Sequence, residues 1–198
     1  MCFRLKGSEQ MPPKQKFTKE EIISAALNLV RKEGAEALTA RSLGDALQSS
    51  ARPIFTVFEN MAQVRDEVKK ATEEIYNQYI REGLKEKYPF KGTGKAYVRM
   101  AREEPNLFRL LFMTGAPQVP KMDDLMRYVD TISTSVTDAA KESFEVDRET
   151  AQKLHHHLWI YSHGIAVLQA TGVCNFTDEE TDKMLTEVGL SLIKYMKE

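Results

Sequence analysis

Four histidines are the most prominent side chains with possible chemical roles in this 198-residue sequence: His155, His156, His157 and His163. Metal ligands on one helix must lie three or four residues apart, as in the HExxH motif. His156 and His163 are seven residues apart, and consecutive histidines point in different directions. The pattern therefore predicts no metal site. It favours a partly buried, hydrogen-bonded His163 as a candidate for a ligand pocket.

Two other stretches are similar to reactive motifs without meeting their requirements. For Gly92-Thr93-Gly94-Lys95 to be a phosphate-binding loop, a glycine would have to replace Pro89 and a Ser or Thr would have to replace Ala96. Ser162-His163 lacks the glycine two residues before the serine that a GxSxG nucleophile motif needs. The sequence therefore predicts no catalytic residue and no cofactor. An all-α enzyme or metal-binding bundle without DNA binding stays open as the alternative function.

Residues 37–58, ALTARSLGDALQSSARPIFTVF, hold two short amphipathic segments separated by Gln48-Ser49-Ser50. Two helices joined by so tight a break form a helix-turn-helix, and in DNA-binding versions the second helix enters the major groove. A helix as short as the second one is not stable alone, so it must be held by neighbouring elements. From the spacing alone, a short connecting helix in an all-α protein is an equally good interpretation.

The side chains of the second segment suit contact with base edges. Ile54 and Phe58 are four residues apart and predict the face that anchors this helix to its domain. Arg52, Phe55 and Thr56 are then left on other faces. Arginine can form two hydrogen bonds with guanine, and threonine or phenylalanine can pack against a thymine methyl group. We therefore expect these three side chains to contact bases.

Helical patterns that could position these groups run through nearly the whole chain. The predicted buried faces are Ile23, Ala26, Leu27 and Val30 in the first helix, and Leu43, Ala46 and Leu47 in the second. Helix starts are predicted at Thr18, Thr39, Ser50, Asn60, Asp147 and Thr177, and Gly34 is predicted to end the first helix. Later helices are expected at roughly 93–104, 105–113, 121–143, 147–170 and 177–198. The predicted fold is all-α with about nine helices, a three-helix helix-turn-helix domain followed by a helical bundle.

Composition and charge limit the class of protein. The chain is 42% apolar and 29% charged, which is typical of a globular protein. The two cysteines lie far apart, and no apolar run approaches the roughly 18 residues of a membrane helix, so we expect a cytoplasmic protein without membrane contact. Residues 1–58 carry nine Lys or Arg against six Asp or Glu, and the remainder carries 19 against 23. This asymmetry indicates that the N-terminal part meets a polyanion.

From Phe17 to about Val68 the sequence resembles the DNA-binding domain of TetR-family regulators. The run IISAALNLVRKEGAEALTARSLGDAL is similar to the first two helices of that domain, and SSARPIFTVFENMAQV to its recognition helix and the start of its fourth helix. The resemblance implies a flexible basic arm at 1–16, a helix-turn-helix domain at 17–64 and a ligand-sensing and dimerisation domain at 65–198. It also implies DNA contacts by Thr39, Arg41, Ser50, Ala51, Arg52, Phe55, Thr56 and Asn60.

In TetR-like proteins the last two helices usually form the dimer, and two apolar stripes are compatible with that. The stripes are Leu154, Leu158, Tyr161, Ile165 and Leu168, and Leu185, Val188, Leu192 and Tyr195. Such stripes fit an internal core equally well. Trp159 with His163-Gly164 is similar to a Trp-His-Gly signature of one subgroup of these C-terminal domains.

The resemblance thus implies a ligand-released repressor. Its expected partners are a palindromic double-stranded DNA operator, a small-molecule effector and a second copy of the chain. Candidate pocket residues for the effector are Met100, Phe108, Phe112, Tyr128, Trp159 and His163, although core packing would explain most of them as well.

Overall fold

The computed structural model describes residues 16–114 and 132–198. These two ranges contain eight α-helices and two short 3-10 helices, and no β-strand. The α-helices are α1 (Lys19–Glu33), α2 (Ala40–Ala46), α3 (Met61–Gly83), α4 (Pro89–Glu103), α5 (Pro105–Phe112), α6 (Ser133–Phe144), α7 (Arg148–Ala170) and α8 (Asp178–Lys197). The 3-10 helices are Ala35–Ala37 and Ile54–Thr56. The all-α prediction is confirmed. Most of the predicted arm at 1–16 and the first part of the helix predicted at 121–143 lie outside the described residues.

Local capping interactions determine where these helices begin and end. In five cases a predicted cap side chain accepts a hydrogen bond from the backbone N–H three residues on: Thr18, Thr39, Asn60, Asp147 and Thr177. Gly34 ends α1 with a φ of 89°, a conformation that glycine adopts readily because it has no Cβ. These predicted helix ends are confirmed.

The N-terminal helices pack around α1, which is buried on more than one side. The core of this small domain contains Ile22, Ala26, Val30, Leu38, Leu43, Ile54, Phe58 and Val64. α1 contacts α2 and α3, and it also contacts α5 of the larger domain. Its buried face is therefore wider than the predicted stripe, because Ile22 and Leu29 are buried while Ile23 and Leu27 are half-buried.

α2 buries a set of residues that differs from the predicted one. Leu43 is buried and Leu47 half-buried, but Ala46 is exposed and Gly44 is buried. A Cβ atom at Gly44 would lie 3.1 Å from backbone atoms of residues 49–51. The turn after α2 therefore packs directly against this glycine, and Ala46 is left on the outer side.

α4 is the central helix of the larger domain, where it packs against α3, α5, α6, α7 and α8. Its first residue is Pro89, which suits the first turn of a helix because the missing N–H has no intrahelical partner there. The helix predicted at roughly 93–104 begins earlier than expected, so residues 92–95 already lie inside it. Tyr97 and Met100 of α4 are buried at the centre of the bundle, with Leu154 and Ile165 of α7.

α3 and α4 approach each other closely at two glycines. A Cβ atom at Gly83 would lie 2.5 Å from the carbonyl oxygen of Gly92, and a Cβ at Gly92 would overlap the carbonyl oxygen of Gly83. We predict that Gly92→Ala lowers the free energy of unfolding by about 1–3 kcal/mol, because the two backbones must separate. Chemical denaturation measures this change.

The matched control for that substitution is Gly189→Ala in α8. A Cβ atom there meets Leu158 Cδ1 at 3.6 Å, an ordinary contact. The control should be neutral or more stable by about 0.5–1 kcal/mol, because alanine has the better helix propensity. Equal stability of the two variants would contradict the close approach of α3 and α4.

Candidate functional site

The helix-turn-helix predicted within residues 37–58 is present, with a second element wound more tightly than an α-helix. Gln48 takes a left-handed φ of 51° after α2 and reverses the chain. From Ile54 to Val57, each backbone N–H donates to the carbonyl three residues back. The second element is therefore a 3-10 turn that follows directly on a tight break.

The prediction that Ser50 caps a third α-helix is wrong. The residue that precedes the 3-10 turn is Pro53, and the turn has no side-chain cap. Proline has no N–H to donate, and it disfavours the α conformation at the residue before it, here Arg52. Too few residues then remain before Phe58 for an α-helix, and a single bond of α-helical spacing forms, from the Phe58 N–H to the Ile54 carbonyl.

The two faces of this turn have the predicted orientation. Ile54 and Phe58 are buried against the helices of the small domain. Arg52, Phe55 and Thr56 are exposed, and Phe55 shows 45% of its surface to solvent. The Phe55 ring is therefore accessible to a partner outside the chain.

Most of the eight residues expected to contact DNA are accessible to a partner. Seven are exposed, and Ala51 is half-buried. Thr39 and Asn60 cap α2 and α3, and Thr56 Oγ1 donates to the Pro53 carbonyl at 2.6 Å. Within the described ranges, the guanidinium groups of Arg41 and Arg52 have no hydrogen bond or ion pair. Thr39, Thr56 and Asn60 therefore shape the surface, and the two arginines are available for a partner.

Lys16 brings further positive charge to the same surface. Its Nζ donates to Ser49 Oγ at 3.0 Å, at the turn between α2 and Arg52. Lys19, by contrast, pairs with Glu67 at 2.9 Å. The surface formed by Lys16, Arg41 and Arg52 can therefore meet a polyanion such as a DNA backbone.

A cavity of about 510 Å³ lies between α3, α4, α6, α7 and α8 of the larger domain. Its size falls in the range of pockets that bind small molecules. Aromatic and aliphatic side chains dominate the wall, among them Tyr76, Phe90, Tyr97, Phe144, Leu158, Trp159 and Leu185. The arrangement can enclose a small, mainly apolar ligand.

Of the six candidate pocket residues, Trp159 lines this cavity. Met100, Phe108, Phe112 and His163 are not part of its wall, and Met100 and Phe108 are fully buried. Tyr128 lies outside the described residues. Sequence reasoning missed Phe90 and Tyr97, whose seven-residue spacing on α4 places them on one helix face together with Thr93 and Gly94.

The three aromatic candidates that do not line the cavity, Phe108, Phe112 and His163, form a cluster with Tyr97 and Trp159. Tyr97 Oη and His163 Nδ1 form a hydrogen bond of 2.8 Å, and the His163 ring stacks on Trp159 with centroids 4.9 Å apart. Phe108 and Phe112 of α5 pack against Tyr97 at 5.4 and 5.3 Å. Burial lowers the pKa of His163 below its usual value, so its ring is neutral in this cluster. The predicted partly buried, hydrogen-bonded His163 is confirmed.

Lys91 and His155, two polar side chains of the cavity wall, are already engaged, whereas the indole N–H of Trp159 is not. Lys91 Nζ lies 2.9 Å from Asp182 Oδ1. Burial, with a smaller effect of neighbouring His156, lowers the pKa of His155 to about 4, and its Nδ1 is hydrogen-bonded to Thr137 Oγ1 at 2.9 Å. Trp159 Nε1 is buried without an acceptor in the described part of the chain, which costs about 1–3 kcal/mol.

α5 connects this cavity region to the small domain. Arg31 of α1 forms an ion pair with Glu104, directly before α5, with Nε and Oε2 2.8 Å apart. Asn106 Nδ2 donates to the Arg31 carbonyl at 3.0 Å. Arg109 donates to Asn106 Oδ1 at 3.0 Å and to the carbonyl of Ala170 at the end of α7. Since α5 also carries two rings of the aromatic cluster, a shift of that cluster can reach α1.

An apolar strip lies exposed on the outer side of α7. Ile160 and Leu168 expose 46% and 39% of their surface, and a Cβ atom at Gly164 between them would meet nothing within 4 Å. The stripe proposed from the sequence is mainly internal instead, because Leu154 and Ile165 are buried. Leu168 is the member of that stripe that reaches the surface. On α8, Tyr195 is 78% exposed.

Metal-binding clusters and membrane-spanning helices are both absent from residues 16–114 and 132–198. No group of three or more His, Cys, Asp or Glu side chains there is arranged to hold a metal ion. No helix there is both long and apolar enough to cross a membrane.

Comparison with known proteins agrees with this architecture. The family described as "Tetracyclin repressor-like, C-terminal domain" matches residues 90–189, about half of the chain. The crystal structure of TetR-Q116A from Acinetobacter baumannii AYE in complex with minocycline is similar in fold, with a TM-score of 0.53 at 16% identity. The similarity covers 92% of this chain and 97% of that one. No curated protein sequence matches the chain significantly.

Proposed function

This chain belongs to the TetR family of transcriptional regulators, and we propose that it is a ligand-released repressor that binds a palindromic operator as a homodimer. Members of this family regulate transcription and are not enzymes, which argues against the alternative of an all-α enzyme. The observation that carries the proposal is the 3-10 turn, anchored by Ile54 and Phe58, that presents Arg52 and Phe55 without partners within the described ranges.

The proposed DNA surface combines base contacts with backbone contacts. Arg52 and Phe55 enter the major groove, where arginine can bond guanine and a ring can pack on a thymine methyl. Arg41 and Lys16 bind phosphates. The N-terminal N–H groups of α2 and α3, held in place by Thr39 and Asn60, offer further donors to phosphate oxygens. The full set is Thr39, Arg41, Ser50, Ala51, Arg52, Phe55, Thr56 and Asn60.

The proposed division of labour places the arm at 1–16, the DNA-binding domain at 17–64 and the sensing and dimerisation domain at 65–198. α3 begins in the DNA-binding domain and ends in the sensing domain. One continuous helix therefore transmits the orientation of one domain to the other.

The proposed homodimer forms through α7 and α8. The exposed strip of Ile160, Gly164 and Leu168 is suited to helix–helix contact, because Gly164 permits close approach between two larger apolar side chains. On α8, the exposed Tyr195 is a further candidate for contact with the second copy. A two-fold dimer would hold two recognition turns roughly 34–36 Å apart, one turn of DNA.

Release by ligand is proposed to run from the cavity through α5 to α1. An effector that displaces Trp159 or Tyr97 also moves Phe108 and Phe112, which pack against Tyr97. The movement of α5 displaces α1 through the contacts of Glu104 and Asn106 with Arg31. The distance between the two recognition turns of the dimer then changes. The effector must bind the two arrangements with unequal affinity for this to weaken DNA binding.

We predict that Glu104→Gln keeps operator affinity in the absence of ligand but reduces the effect of ligand. Coupling between sites is typically about 1–3 kcal/mol, or about 5–150-fold in affinity, and the variant should lose most of that factor. The measurement is operator affinity with and without a saturating ligand that shifts the emission of Trp159. Glu74→Gln is the control, because it breaks an ion pair within α3, with Arg81 at 2.7 Å. An unchanged coupling factor in Glu104→Gln would rule out this route.

DNA binding itself is tested with the full chain and the DNA upstream of its own gene. Fluorescence anisotropy at fixed salt compares that fragment with a scrambled duplex of equal length. Specific binding should be tighter by about 10³–10⁷-fold. Equal affinities for the two duplexes would refute the proposed regulator.

A further inference from the structure

The wall of the cavity is formed largely by aromatic rings. Six aromatic side chains line it: Tyr76, Tyr88, Phe90, Tyr97, Phe144 and Trp159. Phe90 and Phe144 meet edge to face at 6.0 Å and 85°, and Tyr76 and Tyr97 do so at 6.1 Å and 87°. The rings of each pair thus stand nearly perpendicular to one another along the wall. A flat aromatic ligand can therefore make offset-stacked and edge-to-face contacts at once.

The charge of the wall is cancelled by a residue that does not belong to the wall. Lys91 is the single charged side chain among the described wall residues, and its Nζ lies 2.9 Å from Asp182 Oδ1. Lys91 also lies over the Tyr88 ring at 5.3 Å. An anionic ligand would have to compete with Asp182 for Lys91. A cationic ligand would meet no carboxylate in the described wall. Either ion would therefore be buried there without a matched opposite charge.

The hydroxyl groups of the wall are set up to accept hydrogen bonds. Thr93, Ser162 and Thr186 each donate to a carbonyl of their own helix, at 2.7 Å in every case. Thr186 Oγ1 also accepts from Lys91 Nζ at 3.5 Å. The oxygens of Thr93 and Ser162 accept no hydrogen bond within the described ranges, so their lone pairs are still available to a ligand. A neutral ligand that carries a hydroxyl group can donate to one of these oxygens without bringing a charge into the cavity.

We propose that the cavity takes a neutral, hydroxylated aromatic molecule, and that Asp182 determines this charge selectivity by holding Lys91 in an ion pair at the wall. This inference rests on the proposed function only in treating the cavity as the effector site. Asp182 is a positioning residue, since it acts on the ligand through Lys91.

The test uses three probes that share one ring system and differ in charge. 2-Naphthylmethanol is neutral, 2-naphthoate is an anion and 2-naphthylmethylammonium is a cation at pH 7.5. Isothermal titration calorimetry with the full chain should show that the alcohol binds at least about tenfold more tightly than either ion, a difference of about 1.4 kcal/mol. Tightest binding of either ion would overturn the proposal.

Asp182→Asn tests the role of the ion pair. With Lys91 released, the affinity for 2-naphthoate should rise at least about tenfold and exceed the affinity for the alcohol. The affinity for the ammonium probe should fall further. Adding Lys91→Met to Asp182→Asn should abolish the increased affinity for 2-naphthoate. Asp138→Asn, which breaks the Arg148–Asp138 pair of 3.0 Å away from the wall, should leave the order of the probes unchanged. An unchanged order in Asp182→Asn would overturn the selectivity mechanism.

These outcomes are separate from the test of DNA binding. If none of the probes binds while the chain still discriminates its operator, the ligand class is refuted and the proposed regulator stands. If the alcohol binds as expected but no DNA is discriminated, the ligand class stands and the proposed function fails.

Discussion

Arg52→Ala should reduce discrimination between operator and scrambled DNA by about 1–3 kcal/mol per half-site, and by twice that in a dimer. Arg52 is exposed directly before the recognition turn, and its guanidinium has no partner in the described ranges. The truncation therefore removes a base contact without disturbing the domain. Affinity for the two duplexes at fixed salt gives the discrimination ratio.

Arg41→Ala is the matched control for that experiment, because Arg41 is equally free but lies in the first turn of α2. A phosphate contact carries no sequence information, so this variant should bind both duplexes more weakly by the same factor. The slope of log affinity against log salt concentration should fall in magnitude by about one. An unchanged discrimination ratio in Arg52→Ala would exclude Arg52 from base reading.

Ile160→Glu should convert the dimer to a monomer and weaken operator binding by about 10²–10⁴-fold. A charge placed in the strip of Ile160, Gly164 and Leu168 would be buried without a partner at the proposed interface. When the two DNA-binding domains are no longer linked, the increase in operator affinity that comes from bivalent binding is lost. Light scattering reports the mass, and anisotropy reports the affinity.

The control for Ile160→Glu is Met113→Glu at the end of α5. Met113 is 43% exposed and Ile160 46%, so the two substitutions replace apolar side chains of similar exposure. Met113→Glu should stay dimeric. A clean dimer in Ile160→Glu would place the interface on another surface.

Short-range signals made the small domain predictable from the sequence. The caps at Thr18, Thr39 and Asn60 depend on a residue and the backbone three positions on, so they can be identified without knowing the fold. The form of the recognition element could also have been anticipated, because Pro53 removes a donor and restricts Arg52. The prediction of an α-helix at this position underestimated the effect of Pro53.

Long-range contacts explain why the cavity was less predictable. Hydrophobicity identified Phe108 and Met100 as interior residues but did not indicate whether they face a void or other side chains. The pairs that define the site join distant parts of the chain: Tyr97 with His163, Lys91 with Asp182 and Arg31 with Glu104. No local pattern encodes these pairings, because each one depends on how the helices pack.

Selection of binding sites from a pool of random DNA duplexes tests the central claim most directly. The full chain is incubated with the pool at fixed salt, and bound duplexes are amplified and sequenced. A two-fold dimer with one recognition turn per subunit predicts an enriched inverted repeat whose half-sites lie about one helical turn apart. Binding without an enriched sequence, or enrichment of a site without two-fold symmetry, would contradict it.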